Sequence, residues 1–473
     1  MTSAIVIAAA ASGTGKTTVA TGLMGALRRA GHVVAPFKVG PDYIDPGYHA
    51  LATGRAGRNL DPVLVGEHRI GPLFAHGSAG ADIAVVEGVM GLFDGRIGPA
   101  GAAGEADGST AHVARLLGAP VLLVMDCRGQ GHSLAAVLHG LATFQPGTRV
   151  SGVLLNHVGS PRHEEVLRQA CEQVGLPVLG ALPRASALAV PSRHLGLVTA
   201  AERGVAATEA VAAMAELVIR HVDLAAVRAV AGPVRTGVRP WNASEEVGEP
   251  SGSRPVVAVA GGRAFSFGYA EHTELLSAAG AEVALLDPLR DERLPAGTAG
   301  LVLPGGFPEE HGTALAGNAA LRAEVAALVR AGAPVRAECG GLLYLTEELD
   351  GRPMCGVLTA TSAMTGRLRL GYRDAVALAD SAVYRAGERV TGHEFHRTEV
   401  RPAAGAPAAW RWTDRTGPAD PEGFAHGSLH ASYLHVHPAG YPGSVARFVA
   451  ACAGPTPARA PGPEAAVGSP DAR

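Results

Sequence analysis

The sequence lacks both an excess of charge and any long apolar run, and each absence excludes a class of protein. Its 473 residues carry 40 Lys and Arg against 43 Asp and Glu, for a formal net charge of -3. A near-neutral chain is not typical of a nucleic-acid-binding protein. No apolar run approaches the roughly 18 residues that a membrane span needs. We therefore expect neither nucleic acid nor a membrane among its partners.

Cysteine is also scarce, and no two cysteines form a CxxC pair. The five cysteines are Cys127, Cys171, Cys339, Cys355 and Cys452. This odd, scattered set argues against a disulfide scaffold and predicts no structural zinc site. No basic segment precedes the first apolar run, at residues 4–9, so we interpret that run as a strand rather than a signal peptide. These features predict a reduced, cytoplasmic protein.

What the sequence does contain is strand and helix patterns that alternate in two series. Short apolar runs alternate with helical stretches from residue 4 to about 190, and a second series starts at 256 and becomes strand-rich after Met354. This alternation is typical of a mainly parallel sheet covered on both faces, so we expect two α/β domains. Gly, Pro and Ser concentrate between them. The predicted layout is a doubly wound domain at 1–230 that ends in a helical arm, a linker at 231–255, a domain at 256–453 and a disordered tail at 454–473.

A phosphate-loop pattern lies between the first strand and a helix that starts near Thr18. Residues 10–17 read AASGTGKT, in which Ala10 replaces the first glycine of the consensus. In such a loop the backbone N–H groups surround a phosphate, Lys16 neutralises the β and γ oxygens, and Thr17 offers its hydroxyl to magnesium. The predicted cofactors are ATP and Mg²⁺. The predicted nucleotide-binding residues are Gly13, Thr14, Gly15, Lys16, Thr17 and Thr18.

Charged residues at other strand ends are expected to face the same phosphates, because parallel strands end at one edge of the sheet. Glu87 ends an apolar strand, and we predict that it binds magnesium together with Thr17. Lys38 and Asp42 follow the second strand; we assign Lys38 to phosphate or acyl-phosphate contact and Asp42 to magnesium or substrate positioning. Asp94 lies within reach of a substrate. A solvated strand end or loop is the alternative for each.

A second reactive pattern lies at residues 333–342, where a short buried strand meets a helix at Cys339 and two glycines follow. A thiol at a helix N-terminus is expected to favour the thiolate and act as a nucleophile. A buried, inert cysteine is the alternative. The strand before Gly305 and Gly306 ends in a turn that can aim N–H groups at an oxyanion, and His435 offers a base. The predicted oxyanion donors are Gly305, Gly306 and Gly340.

This half resembles a class I glutamine amidotransferase domain, in which such a cysteine attacks the side-chain amide of glutamine and releases ammonia. The resemblance implies that Cys339 is the nucleophile and His435 its activator. The usual pattern continues as His-x-Glu, whereas this chain reads His435-Val436-His437. The third member of the triad therefore stays open.

The two patterns together have a chemical logic. One half would make ammonia, and the other would use ATP to convert a carboxylate into an acyl phosphate, whose phosphate is a good leaving group. Lys16, Lys38 and magnesium would spread the charge that develops during transfer. The predicted product is an amide, and the predicted enzyme is a glutamine-hydrolysing carbon–nitrogen ligase.

Seven motifs in order resemble the family of cobyrinic and hydrogenobyrinic acid a,c-diamide synthases. They are SGTGKT (12–17), KVGPDYIDP (38–46), VEGVMGLFDG (86–95), LPGGFPE (303–309), ECGGL (338–342), GHEFH (392–396) and ASYLH (431–435). The resemblance covers about residues 4–450. It implies a dethiobiotin-synthetase-like first domain and the ATP- and glutamine-dependent amidation of the a and c acetates of a corrin ring in cobalamin biosynthesis. It also implies that Asp42, Tyr43, Ile44, Glu87 and Asp94 lie at positions used in catalysis or substrate selection, and that Asn156 contacts adenine. We predict a catalytic role for Asp94 and substrate contacts at Asp42, Tyr43, Ile44, Asp45 and Asp94.

Two alternatives remain at this stage. A cobyric acid synthase would amidate other side chains of a similar ring. A regulatory ATPase with an inactive glutaminase half belongs to a different class, and the alanine at position 11, where partition-type ATPases carry an extra lysine, speaks against it. The sequence leaves open whether the ring carries cobalt, which acetate reacts first, how ammonia crosses between the domains and whether the chain forms a homodimer.

Overall fold

The computed structural model describes residues 2–96, 108–184, 192–193, 196–234, 238–250, 252–414 and 417–454. The predicted tail lies, apart from Gly454, outside these residues. No helix in this described part of the chain is both long and apolar enough to cross a membrane.

The first domain is built on a parallel sheet whose central strands are buried along their length, as expected when helices cover both faces. Within the described residues the order is β3-β2-β4-β1-β5-β6-β7, with the short β10 antiparallel against β1. The strands are β1 (Ser3–Ala9), β2 (Val34–Val39), β3 (Arg58–Leu60), β4 (Ile83–Glu87), β5 (Val121–Asp126), β6 (Val150–Val158), β7 (Val178–Pro183), a separate β8 (Ser192–Arg193) and β9 (Gly196–Leu197) pair, and β10 (Gly232–Pro233).

The helices of this domain follow the strands and cover the sheet. They are α1 (Lys16–Arg29), α2 (Asp45–Thr53), α3 (Pro62–Val65), α4 (Glu67–Gly77), α5 (Thr110–Leu117), α6 (Leu134–Thr143), α7 (Pro161–Gln173), α8 (Ala200–Arg203), α9 (Val205–His221) and α10 (Leu224–Val230). The last three form the predicted helical arm. Helix α9 packs so closely on α1 that a Cβ at Gly22 would lie 2.6 Å from the carbonyl oxygen of Met214. In the sheet β4 and β2 lie on one side of β1 and β5 lies on the other, so the strand order reverses at β1 and the carboxyl ends of β1, β2 and β4 form one edge for a ligand.

The segment between the domains is ordered where the structure describes it. Trp241 is buried, and its backbone N–H donates to the carbonyl of Pro72 in the first domain. Helix α11 (Ala243–Val247) then packs on helices of the second domain. The segment that joins the domains is therefore in contact with both of them.

The second domain has a mainly parallel sheet beside a mainly antiparallel one. Within the described residues the first has the order β12-β11-β13-β14-β22-β21 and the second β16-β15-β17-β19-β20 with β18 on β17. The strands are β11 (Val256–Ala260), β12 (Glu282–Leu286), β13 (Thr298–Leu303), β14 (Val335–Glu338), β15 (Glu348–Leu349), β16 (Arg352–Pro353), β17 (Thr361–Ala377), β18 (Arg389–Arg401), β19 (Trp410–Asp414), β20 (Gly417–Pro418), β21 (Phe424–His426) and β22 (Leu429–Ser432). The helices are α12 (Ala270–Ala278), α13 (Gly312–Gly317), α14 (Ala319–Arg330), α15 (Gly340–Leu345) and α16 (Pro442–Cys452), with 3₁₀ turns at Pro308–His311 and Pro438–Gly440. The predicted α/β class of both domains is confirmed.

Polar contacts join the two domains around their reactive edges. Arg58 of β3 binds Glu271 at 2.7 Å and Glu274 at 2.5 Å, both on α12. A second contact comes from β17, where the Tyr372 hydroxyl donates to the buried carboxylate of Asp61 at 3.0 Å. These contacts fix the edge of the first sheet against the second domain.

Candidate active sites

The phosphate loop depends on two glycines with left-handed backbone geometry, Gly13 at φ 75° and Gly15 at φ 92°. At Gly15 a Cβ would also lie 2.4 Å from the side-chain nitrogen of Asn156, so a larger residue would collide there. The Asn156 amide donates to the carbonyl of Thr14 at 2.9 Å. The structure thus places Asn156 against the loop backbone, and its predicted adenine contact stays a prediction.

Lys16 is buried at the start of α1, where Thr17 and Thr18 follow it in the first turn. Its ammonium donates to the carbonyls of Ala11 at 2.9 Å and Met90 at 2.5 Å. Burial, together with the charge of Lys38, lowers the pKa of Lys16 to about 8. A bound polyphosphate would oppose both effects, since opposite charge favours the ammonium.

Four side chains from four elements meet beside the loop. The Thr17 hydroxyl lies 2.7 Å from Glu87 and 3.2 Å from Asp45. The Lys38 ammonium lies 2.8 Å from Asp45 and 3.0 Å from the same Glu87 oxygen, Oε1. This charge cluster of Thr17, Lys38, Asp45 and Glu87 brings together the ends of β2 and β4 and the starts of α1 and α2. Of the predicted substrate residues, Asp45 is therefore the one in contact with Thr17.

The charges of the cluster are not balanced by Lys38 alone. Although burial acts to lower it, Asp45 and Glu87 raise the pKa of Lys38 well above its usual value. Burial acts to raise the pKa of Glu87, but Lys38 and His49 outweigh it and lower that pKa. For Asp45 the result is opposite, because burial, Asp42 and Glu87 raise its pKa in spite of Lys38. Lys38 and His49 thus stabilise the Glu87 carboxylate, whereas a further positive charge beside Asp45 would favour its ionised form.

Asp42 and Asp94, predicted to face substrate or metal, both bind backbone in the structure. Asp42 Oδ1 accepts the N–H groups of Ile44 at 2.8 Å and Asp45 at 2.9 Å, which holds the start of α2. Asp94 Oδ2 accepts the Gly91 N–H at 2.9 Å. Their predicted metal and substrate roles stay predictions. What the structure shows is that each carboxylate sets the shape of a loop at the edge of the site.

Cys339 lies at a strained corner between β14 and α15. Its φ of 47° and ψ of -102° are unusual for a residue with a Cβ, a geometry often found at functional sites. Its N–H donates to the carbonyl of Ser432 at 2.7 Å, which ties the corner to β22. A Cβ at Gly341 would lie 2.2 Å from the carbonyl oxygen of Leu303, so only glycine permits this approach.

The predicted oxyanion glycines meet around this corner. A Cβ at Gly340 would lie 2.9 Å from the backbone nitrogen of Gly306, and one at Gly305 would lie 2.5 Å from Cε1 of His435. The tertiary structure therefore brings Gly305, Gly306, Gly340 and His435 to the helix start at Cys339. These residues stay the predicted oxyanion donors and base.

The expected lowering of the Cys339 pKa is wrong for this structure. Burial raises the pKa of the thiol well above its usual value, Glu309 and Glu338 add to the rise, and the Gly340 N–H opposes it too weakly. Helix α15 has six residues, so its dipole is small, and the buried thiol loses the solvation that an anion needs. The thiol therefore needs a base to become a nucleophile.

Each of the two domains matches a model of a known protein family. Residues 5–198 match the model of the CobQ/CobB/MinD/ParA nucleotide binding domain, and residues 256–442 match the CobB/CobQ-like glutamine amidotransferase domain. The MinD cell division protein of Aquifex aeolicus, a solved structure, aligns with 49% of this chain and 100% of its own at a TM-score of 0.31 and 13% identity, which is too distant to carry an argument.

Curated relatives are much more similar. The hydrogenobyrinate a,c-diamide synthase of Mycobacterium tuberculosis is 62% identical over 96% of this chain and 99% of its own length. The enzyme of the same name from Streptomyces coelicolor is 54% identical over 95% and 97%. The cobyrinate a,c-diamide synthase of Synechococcus sp. is 40% identical over 95% and 98%. The chain belongs to the a,c-diamide synthase family.

In this member of the a,c-diamide synthase family, sequence reasoning missed His49 in the first site. Its Nε2 lies 2.6 Å from Glu87 Oε2, and both side chains are fully buried. Lys38 and Thr17 hold the other oxygen of this carboxylate, so His49 completes its partners. The signal was present, because His49 lies one helical turn after Asp45 on α2 and so shares its face.

The second missed residue bears on the open third position of the triad. Glu338 directly precedes Cys339, and its Oε2 lies 3.8 Å from His435 Nδ1. Its other oxygen lies 2.5 Å from Arg336, two residues earlier on the same face of β14. Burial acts to raise the pKa of Glu338, but Arg336 and His435 lower it to about 2. A buried arginine inside a strand was the signal, since such a charge requires a partner.

His437 has a different neighbourhood. Its Nδ1 accepts the N–H of Ala439 at 3.2 Å, and its ring lies 4.0 Å from that of Tyr269. Among the residues that the structure describes, the carboxylate that faces His435 is therefore that of Glu338, while His437 caps the following 3₁₀ turn.

Proposed function

We propose that the chain is an ATP- and glutamine-dependent ligase that amidates the a and c acetate carboxylates of hydrogenobyrinic acid, the metal-free ring. The observation that carries the proposal is 62% identity over 96% of the chain to a hydrogenobyrinate a,c-diamide synthase. Relatives that act on cobyrinate, the cobalt-containing ring, are 40% to 43% identical. This contrast supports the metal-free ring as the preferred substrate.

In the first domain the residues present fit an ATP–magnesium site. Hard oxygen ligands suit Mg²⁺, which is commonly held by one or two carboxylates together with substrate phosphates. We assign the ion to Thr17, Asp45 and Glu87, since a cation there would favour the ionised form of Asp45. Asp42, the sequence-based candidate, would hold the loop that presents Asp45. When bound, Mg²⁺ supplies charge neutralisation for phosphoryl transfer.

The side chains around the phosphates would then activate the substrate. An acetate oxygen attacks the γ-phosphorus of ATP, the bond to the β-γ bridging oxygen breaks, and ADP leaves. Lys16 and Lys38 stabilise the negative charge on the transferring phosphoryl group. Ammonia attacks the carbon of the resulting acyl phosphate, phosphate leaves with the bonding electrons, and the nitrogen loses a proton. The amide results.

In the second domain Cys339 would release that ammonia from glutamine. His435 takes the thiol proton while Sγ attacks the side-chain amide carbon of glutamine, and the N–H groups of Gly306 and Gly340 receive the oxyanion. The imidazolium gives its proton to the departing ammonia, and water then hydrolyses the thioester to glutamate. Glu338 stays ionised at neutral pH because its pKa lies near 2, so it stabilises the imidazolium.

The test is a reconstitution with purified protein. ATP, Mg²⁺ and glutamine are supplied with hydrogenobyrinic acid or with cobyrinic acid, and the product is read by mass. Two amide additions, faster on the metal-free ring, are expected. Four additions would indicate a cobyric acid synthase, and ATP hydrolysis without a new amide would indicate a regulatory ATPase. A cytoplasmic location and a homodimer stay predictions.

A further inference from the structure

Tyr43 belongs by sequence to the first domain but packs against side chains of the second. It follows Asp42 in the loop that precedes α2, and it is 8% exposed. Its ring stacks on Phe267 at a centroid distance of 5.1 Å and lies 4.9 Å from the ring of His435. A side chain from the phosphate-site loop is therefore in contact with the predicted base of the other site.

The second domain holds this ring from several directions. The hydroxyl of Tyr269 donates to that of Tyr43 at 2.8 Å in a buried position. Phe267 also packs edge-on against Phe307 at 5.0 Å, and its N–H donates to the carbonyl of Gly305 at 3.0 Å. The segment that holds Tyr43 is thus hydrogen-bonded to the turn that carries Gly305 and Gly306 of the predicted oxyanion site.

At its other end the loop is anchored in the charge cluster. Two residues after Tyr43, the carboxylate of Asp45 contacts Lys38 and Thr17 at 2.8 and 3.2 Å. Asp42, one residue before Tyr43, accepts the N–H of Asp45. A ligand that rearranges Asp45 consequently acts on a segment of four residues that includes Tyr43.

His435 is placed mainly by packing. Among the residues that the structure describes, neither nitrogen of its ring has a hydrogen-bond partner, and Glu338 lies 3.8 Å away. Its backbone is fixed by paired hydrogen bonds with His393, both 2.9 Å, but these do not orient the ring. The ring of Tyr43 is therefore part of the packing that surrounds the imidazole of His435.

We propose that Tyr43 is a positioning residue of the glutaminase site, supplied by the synthetase loop, and that ligands bound at that loop control glutamine hydrolysis through its contact with His435. The control of glutamine hydrolysis by ligands rests on the proposed function, since it requires ATP and the corrinoid carboxylate to bind at the synthetase loop. The positioning role of Tyr43 requires neither ligand, because it is tested through the reactivity of Cys339 alone.

The first experiment measures how fast a glutamine-like diazoketone, 6-diazo-5-oxo-L-norleucine, alkylates Cys339 in the full chain without ATP or corrinoid. Because small displacements of a catalytic group cost large factors in rate, Tyr43→Leu should slow this labelling about tenfold or more. Tyr43→Phe keeps the ring and should recover most of the loss. Labelling is followed by intact mass, with peptide mapping to Cys339.

Tyr48→Leu is the matched control. Tyr48 is buried in the same apolar cluster and donates to the carbonyl of Val198, far along the chain from the glutaminase site. Equal slowing in Tyr48→Leu, or a wild-type rate in Tyr43→Leu, would overturn the positioning role. If Tyr43→Leu does not fold, Tyr269→Phe removes the hydrogen bond that holds Tyr43 and should slow labelling about twofold or more; an unchanged rate there would also overturn it.

The second experiment repeats the labelling with ATP, Mg²⁺ and hydrogenobyrinic acid. These ligands should change the wild-type rate by about threefold or more, and Tyr43→Leu should lose that response. An unresponsive wild type, or a variant that responds fully, would overturn the control by ligands. Failure of the proposed function is seen separately, as the absence of any diamide from the wild type with ammonium.

Discussion

The two candidate sites are both buried, but they are prepared for chemistry in opposite ways. The phosphate site consists of charged side chains that already bind one another, with Lys38 between Asp45 and Glu87. The glutaminase site consists of close-packed glycines and a strained corner at which the thiol is neutral. The first site must exchange its internal ion pairs for a ligand. The second needs only a proton transfer.

The difference teaches what each site can tolerate. A buried ion pair is costly to break from one side, because the remaining charge loses its partner. A glycine-lined corner instead depends on free space and on backbone conformation, so a larger side chain at a glycine position disrupts it. Four substitutions test this contrast. The first three are measured with glutamine and, separately, with ammonium as the nitrogen source, and the fourth by urea unfolding.

The largest effect is expected for Cys339→Ala. Loss of the nucleophile should lower glutamine-dependent diamide formation by at least about 10⁴-fold, while the ammonium-dependent reaction at high pH persists. Cys355→Ala removes another buried thiol and is the control. Full glutamine-dependent activity in Cys339→Ala would show that the nucleophile is assigned wrongly.

The next effect is expected for Glu87→Gln. This change keeps the shape but removes the charge that binds Lys38, Thr17 and His49, so both nitrogen sources should lose about 10²- to 10³-fold in kcat. Asp82→Asn, at the other end of the same strand, retains an acceptor for the Val33 N–H and is the control. A loss confined to the glutamine route would contradict the contrast between the sites.

A smaller effect is expected for Glu338→Gln. If this carboxylate stabilises protonated His435, the variant should lose about tenfold to a hundredfold in glutamine-dependent kcat, with ammonium-dependent turnover retained. Because the pKa of Glu338 lies near 2, the wild-type profile should show no step from this group between about pH 5 and pH 9. The exposed Glu348→Gln is the control, and equal rates in the two variants would refute the role.

The smallest effect is expected for Asp61→Asn. Asp61 accepts a hydrogen bond from Tyr372 and so joins the first domain to the second. Burial raises the pKa of Asp61 to about 6, so the folded state holds the proton more tightly than the unfolded chain. The stability that this provides is present at low pH and lost as the pH rises through the folded pKa. Relative to wild type, Asp61→Asn should therefore gain about 1–3 kcal/mol in free energy of unfolding between about pH 4 and pH 7.5.

Urea unfolding at the two pH values measures this gain. Asp223→Asn changes another helix cap, in an exposed position where the carboxylate accepts the Ala226 N–H, and should show a difference nearer zero. A pH-independent difference for Asp61→Asn would mean that the carboxyl titrates normally.

The comparison also shows where sequence reasoning succeeds. The phosphate loop and the Cys339 corner were recognised because each is a contiguous motif whose glycines have one structural use. Asp42 and Asp45 are three residues apart in one loop, and the sequence offered no means to decide which carboxylate reaches Thr17. His49 and Glu338 were missed because Glu87 and His435, the partners that reveal their roles, lie far away in the chain.

The sequence by itself determined the α/β class, the two reactive motifs and the likeness to one family, since local backbone geometry and residue order carry that information. The tertiary structure alone decided that Asp45 joins Glu87 at Thr17, that Glu338 faces His435, and that Tyr43 crosses from one site into the other. The physical reason is that side-chain direction and burial at these positions follow from how strands and loops of different domains pack. Burial also reversed the expected pKa shift of Cys339, because loss of solvation outweighs a short helix dipole.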